Sequence, residues 1–307
     1  MRNLVIHVGY HKTATTWLQW RVFTPEHGYH QVADHTETFA HVVRPLGFQF
    51  DASALRALLN ARVAETPEGH VPIISSEILS GHPFQGARER EIYAARLKQV
   101  VPDARILITI RNQMAILPSI YMQYLRRGGT MRPDAFFEGT DEPGYFGFEP
   151  AHFHYDRLIS LYQSLFGADR VHVITQEAMQ NDSVLAMAGL AADLGNTAFT
   201  GLGPKAQGRF IPSYPEYAAN ALRRVNHVQR STLNPAPIMA LGQTPGGLDR
   251  FVGGALRRAP LKNWLGGRKP VSDYVQKTFH RVYDLSNTRL AQMDLPQPLD
   301  LTGYPGL

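Results

Sequence analysis

Residues Leu4 to Trp20 read LVIHVGYHKTATTWLQW, and the class of the fold is decided there. Leu4, Val5, Ile6 and Val8 form a short apolar run rich in β-branched residues, the pattern of a strand buried on both faces. Gly9 breaks the run, and from Thr15 to Trp20 the text reads as the first turns of a helix. Tyr10, His11, Lys12, Thr13 and Ala14 lie between, followed by the hydroxyls of Thr15 and Thr16. A strand that feeds a tight turn and then a helix N-terminus aims backbone N–H groups into one small space. The helix dipole adds positive potential there and Lys12 adds a full charge, so the turn suits a phosphate-like anion.

The turn departs from the nucleoside triphosphate loop G-x-x-x-x-G-K-[ST]. Gly9 precedes Lys12 by three residues, His11 stands where a second glycine would, and two threonines close the motif. In this form GYHKTATTWLQ resembles the 5′-phosphosulfate loop of sulfotransferases that use 3′-phosphoadenosine 5′-phosphosulfate (PAPS). A second motif agrees with it. The run ARILITI, Ala104–Ile110, holds no glycine or proline and leads into Arg111, with Ser119 eight residues later. In that family an arginine and a serine so spaced bind the donor's 3′-phosphate. The resemblance covers about the first 130 residues, and the rest only loosely.

The resemblance implies a three-layer α/β/α fold with a mostly parallel central sheet, and transfer of a sulfuryl group to an acceptor hydroxyl or amine. It assigns the donor to His11, Lys12, Thr13, Ala14, Thr15, Thr16, Trp17, Arg111 and Ser119. Trp17 would lie near the adenine. Lys205 and Arg209, in the glycine-rich basic stretch GLGPKAQGRF (Gly201–Phe210), would belong to a late loop closing the nucleotide site. Lys12 is also expected to act in catalysis.

A base must take the acceptor's proton. The segment Val71–Ser75 reads as a second buried strand and leads to Ser75-Ser76-Glu77. A carboxylate at the C-terminal end of a strand in an open α/β sheet lies on the edge where ligands bind. Carbohydrate sulfotransferases of this superfamily carry a glutamate at a comparable place, so Glu77 is ranked first. His82 is the rival, within Ser80-Gly81-His82-Pro83, which reads as an ordinary turn. No metal is expected, because there is no triphosphate to bridge and Arg111 stands where a phosphotransferase often places a magnesium-binding aspartate.

Composition sets the outer bounds. The chain has 307 residues, 44% apolar and 19% charged, a net charge of +5 and a pI near 9.4. Those values describe an ordinary globular chain, and its basic balance suits an anionic donor or acidic glycan acceptor but equally nucleic acid or a membrane surface, so it decides nothing alone. There is no cysteine, which excludes disulfides and thiolate metal sites. No apolar run approaches the ~20 residues that span a bilayer, and a strand starting near residue 4 leaves no signal peptide expected ahead of it. A cytoplasmic protein of one domain, residues 1–307, mainly helical from about 213, is the expectation. No nucleic-acid partner is expected, and the oligomeric state is left open.

Further elements follow from periodicity: helices over roughly 51–66, 87–100, 183–194 and 271–293, a helix running to about Arg127 with Pro118 in its first turn or else kinking it, and a strand over Arg170–Thr175. Ser119 would then sit near a helix N-terminus. His27, His30, His35 and His41 match no metal spacing and are read as surface residues in a polar loop. Residues 130–152 read as a lid over the acceptor, and Arg126 and Arg127 as complements to the helix dipole. The acceptor is expected to be a carbohydrate or glycolipid, with a small molecule or peptide tyrosine also open. Two other functions stay open: a P-loop kinase-like phosphotransferase, and a non-catalytic nucleotide- or glycan-binding protein.

Overall fold

The computed structural model describes residues 3–140, 142–207, 214–256, 258 and 261–307. Its frame is a five-stranded sheet of β1 (Val5–His7), β2 (Tyr29–Ala33), β3 (Val71–Ser75), β4 (Arg105–Ile110) and β5 (Val171–Thr175), in the order β2-β3-β1-β4-β5. Every pairing between these strands is parallel. Parallel neighbours need long crossovers, and here helices supply them and cover both faces.

The two-residue alternation of each strand sorts its side chains between the faces. Leu4, Ile6, Val8, Ile106, Ile108 and Ile110 go to one side, where they pack with the helices Ala52–Ala64, Arg90–Val100, Gln113–Arg126 and Tyr155–Phe166. Val5, Ile73 and Leu107 go to the other, against Trp17, Leu18, Val22 and the helix Ser183–Leu194. The result is the three-layer α/β/α arrangement, and it explains why these strands are almost continuously apolar.

Beyond residue 213 the helices Ala219–Asn226, Pro270–Phe279 and Asp284–Ala291 add to the first of these cores through Leu222, Val275, Phe279 and Leu290. The expected helix over 271–293 is thus two, separated near His280–Tyr283.

Three expectations are corrected. Tyr29–Ala33 is an edge strand and not a polar loop, and His27 beside it is 2% exposed. The His27 imidazole shares a hydrogen bond with Thr24 Oγ1 (2.9 Å) and accepts from Gly203 N–H (3.0 Å). Partners on both ring nitrogens are what allow it to be buried. Pro118 is the sixth residue of Gln113–Arg126, and Ser119 therefore lies two turns in. The helix starts at Asn112, whose side chain caps Met114 N–H at 2.9 Å.

In the expected lid, Phe136, Phe137 and Phe148 are buried in the first core and pack with Tyr121, Tyr124 and Phe279. Aromatic area of that size is held by the core more strongly than by an open loop.

Candidate active site

A cavity of about 1100 Å³ lies across the C-terminal ends of the strands. Its wall takes Lys12 from the turn after β1, Glu77 from beyond β3, Arg111 from the end of β4 and Gln176 from the end of β5. On either side of β1 the chain runs outward in opposite directions, to β3 and β2 or to β4 and β5. That reversal opens a crevice at the carboxyl edge of a parallel sheet.

The turn after β1 is built on a buried polar network. His7 is fully buried, with Nδ1 2.7 Å from Ser75 Oγ and Nε2 3.1 Å from Thr109 Oγ1. Burial pushes its proton affinity down to about 4, partly offset by Glu77, so it is neutral and serves as a hydrogen-bonding post. Thr13 Oγ1 donates to Tyr10 O (2.6 Å) and shares a hydrogen bond with Thr109 Oγ1 (2.6 Å). The Thr13 hydroxyl thus faces the sheet and not the cavity.

Gly9 is required by this packing. A Cβ there would meet Thr109 Oγ1 at 2.5 Å and His7 Nε2 at 2.7 Å, closer than atoms can approach without displacing the network.

Lys12 and Ala14 both have φ in the left-handed region, +71° and +63°. Each such non-glycine residue costs about 1–2 kcal/mol, and Thr13 holds the turn between them. Among the described residues, no carbonyl or side chain accepts from the N–H of Thr13 or Ala14. The α-helical part that follows is short, Thr15–Trp17, and continues as a π-turn over Leu18–Val22. The dipole of a long helix is therefore replaced by charge and by these N–H groups.

Arg111 and Ser119, placed eight residues apart by the sequence, meet directly. Arg111 Nη1 donates to Ser119 Oγ at 3.0 Å and to Lys12 O at 3.4 Å. Ser119 Oγ in turn donates to Ala115 O at 3.1 Å. Tyr155 OH donates to Arg111 O at 2.6 Å, fixing the strand end. Lys12 is half-buried, and its proton affinity is pushed down to about 8 by burial, then by Arg126 and Arg111. A lysine crowded by two guanidinium groups is a site that gains from an incoming anion.

Glu77 opens a short turn after β3 and is half-buried. Gln19 Nε2 donates to Glu77 Oε2 and to Ser75 O, each at 3.1 Å. His35 Nδ1 lies 3.7 Å from the same carboxylate oxygen and 2.8 Å from Ser76 Oγ. His82 is outside the cavity wall, where its Nδ1 accepts from Phe84 N–H at 3.2 Å and caps the turn Pro83–Gln85. Burial, then Arg127, lowers its proton affinity. His11 lines the cavity. Burial, then His82, pushes His11 down to about 3, which leaves it neutral.

The adenine-side expectations divide. Trp17 lines the cavity, and its Nε1–H donates to Ala206 O at 2.8 Å. Ala206 and Gln207 form part of the wall, so the late loop does reach the site. Lys205 is exposed and is not in the wall, while Arg209 lies outside the described residues. Ala14, Thr15 and Thr16 all line the cavity.

Sequence reading missed Gln19, Gln123 and Gln176, and it assigned Arg126 and Arg127 to the helix dipole. Yet Ser119, Gln123, Arg126 and Arg127 fall at steps of four, seven and eight on one helix face, and all four line the cavity. That spacing was the available signal. Among the described residues, no three His, Asp or Glu side chains converge as a metal-holding group, and no helix is long and apolar enough to cross a membrane.

No family model and no curated protein matches the chain. Among solved structures it is similar to a sulfotransferase from Alicyclobacillus acidocaldarius, at 20% identity and a TM-score of 0.47 over 74% of this chain and 90% of that one. It is also similar to mouse sulfotransferase SULT7A1 solved with PAP, at 13% identity and a TM-score of 0.41 over 94% and 88%. A third likeness is to the sulfotransferase domain from the curacin biosynthetic pathway, at 11% identity and a TM-score of 0.37 over 96% and 99%. These values describe distant similarity, and what the site does is read from its own residues.

Proposed function

We propose that the chain is a cytoplasmic enzyme of one catalytic unit that transfers a sulfuryl group from PAPS to a hydroxyl of an acceptor, a carbohydrate or glycolipid being the expected class. One observation carries the reading: Arg111 Nη1 hydrogen-bonds Ser119 Oγ at 3.0 Å in the cavity that Lys12 also lines. A guanidinium and a hydroxyl held together make a fork for a terminal phosphate. Lys12 and the Thr13 and Ala14 N–H groups make a second anion site in the same cavity. Two anion sites, with Trp17 in the wall, suit an adenine nucleotide that bears a 3′-phosphate and a 5′-phosphosulfate.

When bound, PAPS supplies the sulfuryl group, whose bond to the 5′-phosphate oxygen breaks as a bond to the acceptor oxygen forms. Lys12 and the turn N–H groups stabilise the charge that develops on the leaving phosphate. Glu77, held by Gln19, takes the proton of the attacking hydroxyl. Glu77 is preferred to His82 because it lines the cavity, while the Nδ1 of His82 is spent on a turn. Arg111 and Ser119 orient the donor, which aligns the three reacting atoms. No step calls for a metal.

The test is calorimetric titration with 3′-phosphoadenosine 5′-phosphate (PAP), the donor's product, without magnesium. Wild type is expected to bind PAP at least tenfold more tightly than AMP, and Arg111→Ala to lose most of that preference. Equal affinity for PAP and AMP would end the sulfotransferase reading, and ATP with magnesium would then test the phosphotransferase one.

A further inference from the structure

The cavity wall carries more positive charge than the donor contacts use. Among the described residues, Lys12, Arg111, Arg126 and Arg127 line it against one carboxylate, Glu77. Lys12 and the Arg111–Ser119 fork are assigned to the two anionic ends of the donor, so this inference rests on the donor reading above. Arg126 and Arg127 remain. They leave the same helix face as Ser119, two turns further on, and are exposed to the cavity.

Neither arginine is explained by its surroundings. Among the described residues neither has a carboxylate within ion-pair distance; the ion pairs formed lie elsewhere. Arg126 rests 5.9 Å from the centre of the Tyr214 ring, at the outer limit of a cation–π contact.

Nor do they cap the helix. Its last carbonyls are taken by backbone N–H groups of Arg127, Gly128 and Gly129. The buried Asn226 amide donates to both Leu125 O and Gly129 O at 2.8 Å. Both arginines line the same cavity as His11, Lys12 and Glu77. The donor supplies anions for only two of the four cationic positions.

We propose that Arg126 and Arg127 bind an anionic group of the acceptor, so that the substrate is a hydroxyl-bearing molecule that carries a negative charge beside the reacting oxygen. Attack then occurs at a hydroxyl presented toward Glu77 while the acid is gripped at the far end of the Gln113–Arg126 helix. Neutral acceptors of the same shape lose that grip, and selection between them is electrostatic.

The experiment is calorimetry on protein saturated with PAP, using two matched pairs: unsulfated chondroitin tetrasaccharide against fully N-acetylated chitotetraose, and 4-hydroxybenzoate against 4-hydroxybenzamide. The first pair carries its charge on a glycan and the second on a small phenol, so the pair that discriminates also identifies the kind of acid. The acidic member of at least one pair is expected to bind tenfold or more tightly than its neutral partner. The Arg126→Ala/Arg127→Ala double variant is expected to lose that difference while binding PAP within threefold of wild type, which also reports that it is folded.

The proposal is overturned if neither pair discriminates, including the case in which no member binds, or if the preference survives in the double variant. It is also overturned if the double variant loses PAP affinity as Arg111→Ala does, since the arginines would then belong to the donor. Failure of wild type to prefer PAP over AMP is a separate result, and it removes the donor reading itself.

Discussion

The helix Gln113–Arg126 has an arginine site at each end, and the two are held in opposite ways. At the start, Arg111 is fixed by Ser119 Oγ, by Lys12 O and through its own carbonyl by Tyr155 OH. At the far end, Arg126 and Arg127 are exposed and, among the described residues, without an acidic partner. The first is organised before any ligand arrives, so little entropy is lost when a phosphate docks. The second gains most of its partners from the ligand, so it selects by charge more than by shape. A donor that is the same in every turnover suits the first arrangement, and an acceptor recognised by its charge suits the second.

The strongest way to break this contrast is to remove the charge between the two ends. Lys12→Ala is expected to lower sulfuryl transfer about a thousandfold, with kcat carrying most of the loss, because developing charge on the leaving phosphate goes uncompensated. Retention of wild-type turnover, measured with radiolabelled PAPS, would show that the turn after β1 does no chemistry.

Next in size is Glu77→Gln, expected to cost about a hundredfold in turnover with PAP affinity unchanged. Gln19→Ala, which releases one hydrogen bond to Glu77, should cost only about three- to tenfold. If Glu77→Gln lowered PAP binding as much as turnover, Glu77 would belong to the organised donor end.

A smaller effect follows pH. The folded chain lowers the proton affinity of Lys12 from near 10.5 to about 8. Between those values the unfolded chain holds the proton and the folded, ligand-free chain does not, so thermal stability should rise with pH across that window. Bound phosphate favours the charged lysine. PAP affinity should therefore fall as pH rises above about 8, by at most about tenfold per unit, and the slope should vanish in Lys12→Ala. An affinity flat from pH 7 to 10 would mean that the lysine charge is set by other groups.

Much of this was legible because it is local. Two-residue alternation and apolar runs place β1, β3, β4 and β5, and the eight-residue step from Arg111 to Ser119 names a pair that meets at 3.0 Å. The missed features depend on what lies across the fold. Tyr29–Ala33 is too polar to read as a strand, since as an edge strand it buries only part of its surface. The aromatic residues of 130–152 looked like a lid because nothing nearby in sequence shows that Phe279 and Tyr121 wait to pack on them. The resemblance puts Thr13 among the donor residues, and only the fold shows its hydroxyl engaged with Thr109, 96 residues on.

By itself the sequence placed four strands by their apolar runs and, through its resemblance to a known family, implied the parallel α/β frame and singled out Lys12, Arg111, Ser119 and Glu77, because apolar runs and short motif spacings are properties of neighbouring residues. Only the tertiary structure decided that Gln19 steadies Glu77, that His7 is a neutral post beneath the turn, and that Arg126 and Arg127 face the cavity without acidic partners among the described residues. Those facts depend on which charges and hydroxyls the fold brings within a few ångströms, and that distance is not written along the chain.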